Sequence, residues 1–120
     1  MHPLNLALRF SLELAALGGF SVLAWRSATG WWRYLAVIAA LAILMALWGV
    51  FAVPNDPSRS GNAPIPVSGY LRLGLELAVL LGGACAFYWT GYKLAGISLI
   101  ILVGIHYALS GERIAWLLQQ

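Results

Sequence analysis

Apolar residues run along this chain in four long stretches, separated by short polar breaks. The first, about Leu4 to Trp25, opens directly after Pro3, and a proline suits the first helical turn because its missing N–H has no intrahelical acceptor there anyway. Arg26-Ser27-Ala28-Thr29-Gly30 breaks the pattern before a second stretch from about Trp31 to Val53, which Pro54-Asn55-Asp56-Pro57 stops. A third runs from about 67 to 89, Thr90-Gly91 marks a tight turn, and a fourth runs from about Tyr92 to Leu109. A helix of roughly 20 residues rises about 30 Å, the thickness of a bilayer's hydrocarbon core. The pattern therefore predicts an all-α fold: one membrane domain over residues 1–120, a bundle of four transmembrane helices, with a loop at 54–65. The tail through Leu118 extends the last helix into the interface.

The chain also repeats itself. Pro3 to Gly19 aligns on Pro66 to Gly82 without a gap, and nine of seventeen positions are identical, among them the proline, one arginine, one glutamate and the last glycine. Thr29-Gly30-Trp31 is echoed by Thr90-Gly91-Tyr92, with Arg33 and Lys93 close behind. Two tandem halves, about 3–53 and 66–118, follow. Each holds an even number of spans, so both enter the membrane from the same side, as parallel repeats related by an axis along the membrane normal.

Composition supports a bilayer as solvent: 62% of residues are hydrophobic and only 9% charged, outside the range of soluble domains. The net charge of +3 is scattered along the chain, which excludes the clustered basic stripe of a nucleic-acid binder. Aromatics gather at span ends, with Trp25, Trp31, Trp32, Trp89 and Tyr92 at one face and Trp48, Phe51, Tyr70 and Trp116 at the other. The N-terminus lacks the basic segment of a signal peptide, so the first stretch reads as a retained span. The single cysteine, Cys85, reads as a small buried residue. His2 and His106 are the only histidines, and no metal, haem or other cofactor site is expected.

The residues that carry possible chemistry are charges inside the spans. Arg9 and Glu13 lie one helical turn apart, as do Arg72 and Glu76, with the glutamates roughly 14 Å along each span and near its middle. Charges at such depth face the protein interior rather than lipid. Arginine precedes glutamate in both copies, the weaker order for local helix support, so crossed partners are expected: Arg9 with Glu76 and Arg72 with Glu13, bringing the first and third spans together. Ala15 and Gly19, and likewise Ala78 and Gly82, are small residues at a spacing that lets helix backbones approach. His106 is a candidate to join the cluster. Asn5 and Ser68, one turn before each arginine, read as helix caps, and Trp48-Gly49 as interface anchoring with close packing.

The segments Asn5-Leu6-Ala7-Leu8-Arg9-Phe10 with Leu12-Glu13-Leu14-Ala15, Trp48-Gly49-Val50-Phe51 leading to Pro54, and Leu71-Arg72-Leu73 with Leu75-Glu76-Leu77 resemble the YrdB-like family of small bacterial membrane proteins. That resemblance implies a bacterial setting and a four-helix membrane fold without supplying an activity, and the loop 55–63 looks longer than the family pattern. The expected role is a structural or accessory membrane subunit with a buried Arg/Glu network, its partners being the lipid bilayer and either a second copy or another membrane protein. The alternative is a small transporter or ion or proton pathway using Glu13 and Glu76. No nucleophile, base and orienting group fall at a recognised spacing, so no catalytic residue and no enzyme is expected. The expected location is the cell membrane of a bacterium, its inner membrane, in multi-pass form.

Overall fold

The computed structural model describes residues 3–54 and 64–120. The predicted loop thus lies mostly outside the described residues, as do His2 and Arg59. The described chain is all-helical apart from one short strand pair: α1 (Pro3–Ser27), α2 (Trp32–Val50), β1 (Phe51–Ala52), β2 (Ile65–Pro66), α3 (Gly69–Trp89), α4 (Lys93–Ala108) and α5 (Gly111–Leu118). Helices α1, α2 and α3 are long and apolar enough to cross a membrane; α4 and α5, bent by 73° across a short break, make a fourth candidate if taken together.

Both hairpin turns between long helices carry a glycine with positive φ, Gly30 at 60° and Gly91 at 97°, a conformation that costs a side-chain-bearing residue far more. On either side of the loop the helix boundaries depart from those predicted. Helix α2 ends at Val50 rather than Val53, because Phe51 and Ala52 turn extended and pair in parallel with Ile65 and Pro66, closing the base of the loop. Helix α3 starts at Gly69, with the Ser68 hydroxyl accepting a hydrogen bond from Leu71 N at 3.3 Å, the capping role expected of that serine.

Helix α1 packs chiefly on α3 and α2, and α3 on α4. The buried stripe of α1 runs through Asn5, Arg9, Leu12, Ala16 and Gly19; that of α3 runs through Arg72, Glu76, Val79, Leu80, Gly83 and Ala84. Both follow the three-and-four spacing of one helical face. The backbones cross at Gly19 and Gly83: a Cβ on Gly19 would collide with the Gly83 carbonyl oxygen, and Gly83 in turn sits against Ala16. The predicted small-residue pairs are therefore off by one position. Gly19 is used as expected, but Ala15 is only half-buried, Ala78 is exposed, and Gly82 faces the Phe20 ring rather than a backbone. The reason is rotational, since the stripe that begins at each arginine passes through Ala16 and Gly83.

The last element overturns the expectation of a straight extension. After Leu109 and Ser110 the chain turns, and α5 folds back so that a Cβ on Gly69 would strike the Leu117 carbonyl oxygen. Cys85 is exposed on α3, not buried. Large apolar side chains also line the outside, including Ile38, Ile43 and Met45 on α2 and Leu94, Ile101 and Ile105 on α4.

Candidate functional site

The charged residues of α1 and α3 meet at the end of the molecule where α2 and α4 finish and α5 begins. Glu76, two turns into α3 and roughly 10 Å along it, is shallower than its span start suggested, because the helix begins at Gly69. Its carboxylate is fully buried and lies among three guanidinium groups. Arg9 Nη2 of α1 donates to Glu76 Oε1 at 2.6 Å, Arg113 of α5 reaches both oxygens at 2.7 and 2.9 Å, and Arg72 Nε of α3 stands 3.6 Å away. Tyr107 Oη of α4 donates to Oε2 at a longer 3.4 Å. Four helices thus converge on one acid.

Of the two expected crossed pairs, one forms and the other does not. Glu13 is held by Arg9 of its own helix, Nε to Oε1 at 3.2 Å, while Arg72 turns toward the end of α2 and donates from Nη1 to the carbonyls of Trp48 and Phe51, each at 2.7 Å. The final carbonyls of a helix lack intrahelical donors and carry the negative end of its dipole, so a guanidinium beside them is well placed. Trp48 is part of this arrangement and not a simple interface anchor: the Arg9 and Arg72 guanidinium carbons lie 5.6 and 4.8 Å from its ring centroid.

His106 lies fully buried beside the cluster, linked instead to a second polar chain. Its Nδ1 is 2.7 Å from Asn5 Oδ1, Asn5 Nδ2 donates to Ser110 Oγ at 2.7 Å, and that hydroxyl donates back to the His106 carbonyl at 2.7 Å. Asn5 is accordingly no helix cap. It is a buried strut between the start of α1 and the bend that launches α5. His106 Nε2 has no hydrogen-bond partner among the described residues.

Arg113 is the residue that sequence reasoning missed, placed in a tail read as interfacial. A signal was present, since Arg113 and Leu117 lie one turn apart on a short, strongly amphipathic segment, and both are buried. Among the described residues no group of three or more His, Cys, Asp or Glu is arranged to hold a metal ion. A saturated carboxylate ringed by arginines can fix helices in register; Glu13, half-buried and with one oxygen engaged, retains capacity to accept.

Residues 7–104 match the family model described as a protein of unknown function, DUF2568. The chain belongs to the DUF2568 family. It is also 42% identical over 120 residues to the uncharacterized protein YrdB of Bacillus subtilis (strain 168), an alignment covering 100% of this chain and 98% of that relative. The YrdB-like resemblance thus holds. No solved structure matches. The DUF2568 match includes Arg9, Glu13, Arg72 and Glu76 but ends before Arg113.

Proposed function

We propose that this DUF2568 protein is a multi-pass protein of the bacterial cytoplasmic membrane, a four-span bundle of two tandem halves that serves as a structural or accessory subunit rather than an enzyme. The observation that carries the reading is Glu76: it is fully buried, and its two oxygens are occupied by guanidinium groups from α1 and α5, with the α3 guanidinium alongside. A carboxylate so compensated is a poor stepping stone for an ion, whereas breaking a buried pair typically costs about 3–5 kcal/mol, so such a group serves well to hold helices together. The apolar exteriors of α2 and α4 suit lipid or the helices of a partner membrane protein. Helix α4 alone is 16 residues, about 24 Å, and its bend lets α5 lie at the membrane surface over the charged end.

Burial of Arg9, Arg72 and Arg113 also informs orientation. Taken out of the count of surface charges, they leave Arg26, Arg33 and Lys93, all at the two hairpin turns, as the basic side chains outside the buried network among the described residues. That cluster of basic residues supports a reading with the hairpin turns on the cytoplasmic side. Each stacks on an aromatic ring there, Arg26 on Tyr92, Arg33 on Trp25 and Lys93 on Tyr88.

Purified protein in proteoliposomes tests the role. The accessory reading expects no protein-dependent proton or cation flux and loss of folded protein with Glu76→Gln. A transport reading is favoured by one observation, the partial exposure of Glu13, with 24% of its side chain open. Flux that vanishes in a well-folded Glu13→Gln variant would establish transport in place of the accessory role.

A further inference from the structure

Glu13 sits at the wall of a cavity of about 300 Å³ enclosed mainly by α1 and α2, at the small end of the range typical of ligand pockets. The remaining lining is apolar, including Phe10, Leu14, Leu44, Trp48 and Gly49. Phe10 and Leu14 are exposed at its rim, so the cavity opens toward the surroundings of the bundle. One oxygen of Glu13 takes the Arg9 N–H at 3.2 Å; the other accepts from no group among the described residues. The shorter contacts of Arg9 and Arg113, at 2.6 to 2.9 Å, go to Glu76 instead. Of the two buried-motif acids, Glu13 is thus the less compensated, and it is the one presented to an apolar, ligand-sized space.

We propose that this cavity binds a lipophilic organic cation bearing an N–H donor, with Glu13 as its counter-ion. A hydrocarbon chain would satisfy the apolar wall but leave the open carboxylate oxygen desolvated without a partner, an unfavourable arrangement. An anion would meet that carboxylate directly. An aromatic ammonium or aminium satisfies both parts: its ring packs between Phe10, Leu44 and Trp48, and its N–H makes a charge-assisted hydrogen bond to Glu13. The site adjoins the Glu76 hub through Arg9 and Trp48 but uses the acid oxygen that the hub leaves open, so it goes beyond the accessory role. A ligand site is what transport would require, but binding is read without flux, so the two ideas fail separately.

The test uses the full chain in phosphatidylcholine nanodiscs and 9-aminoacridine, a planar fluorescent monocation with N–H donors, followed by fluorescence polarisation. Saturable binding at one probe per chain is expected. Glu13→Gln should weaken it by about tenfold or more, the loss of one charge-assisted hydrogen bond. Gly49→Leu, placed where no atom lies within 4 Å of an added Cβ, should block it by filling the cavity, with helical content by circular dichroism unchanged in both variants. Uncharged acridine should bind at least about tenfold more weakly than the aminoacridine. The proposal is overturned if the signal equals that of empty nanodiscs, if acridine binds as tightly, or if folded Glu13→Gln binds the cation as wild type does.

Discussion

Arg9 with Glu13 and Arg72 with Glu76 have the same spacing in similar stretches of sequence, yet they end in different surroundings. Glu76 is fully buried under three arginines; Glu13 is half-buried, holds one of them, and borders an apolar cavity. The divergence has two causes. The buried stripe of α3 passes from Arg72 through Glu76 to Gly83, whereas that of α1 passes from Arg9 through Leu12 to Ala16, leaving Glu13 on the shoulder of the helix. The segments that follow the halves also differ: the end of α2 presents the Trp48 and Phe51 carbonyls to Arg72, while the bend after α4 delivers Arg113 to Glu76. A partial difference in helix rotation, with Arg9 and Ala16 still buried like Arg72 and Val79, leaves one acid as a hub and the other as an open acceptor.

The sharpest way to break this contrast is to neutralise each acid. Glu76→Gln leaves buried guanidinium groups without their anion and should cost about 3–5 kcal/mol, seen as loss of folded protein or a large fall in steric-trapping stability. Arg113→Met keeps bulk and removes the contribution of α5; a loss of about 2 kcal/mol is expected, with amide exchange accelerating in α5 before it does in α1 or α3. Asn5→Ala strands His106 Nδ1 inside the protein and takes from Ser110 Oγ the N–H it accepts, and should cost about 1–2 kcal/mol, while Ser68→Ala, at the matching position, removes only a cap worth about 1 kcal/mol. Glu13→Gln should cost least, below about 1 kcal/mol, since its single ion pair is partly open to the surroundings. If the asparagine and serine variants proved equal, the two halves would be more alike than these contacts describe.

Much of the fold was legible because it follows from local rules. The long helices announced themselves by apolar run length, Ser68 by its position before a helix, and the meeting of α1 with α3 by charges that must face inward at matching depth. What was illegible depends on rotation and on a bend. Ala15 and Ala16 are equally small, and only the line of residues leading from Arg9 through Leu12 distinguishes the packed one. Asn5 resembles a cap until Ser110 and His106, more than a hundred residues away, are brought against it. Arg113 sits among leucine, tryptophan and isoleucine in a stretch that suits an interface equally well, and its burial needs the 73° turn between α4 and α5. Trp48 looked like an anchor because stacking by two arginines leaves no trace in local sequence.

Arg9 touches both acids, so a pair of double-mutant cycles on it measures the asymmetry directly. Arg9→Met combined with Glu76→Gln should give a coupling energy of about 2 kcal/mol or more, and Arg9→Met combined with Glu13→Gln about 0.5 kcal/mol or less. Equal couplings, or a larger one to Glu13, would contradict the assignment of Glu76 as the acid that holds the helices together.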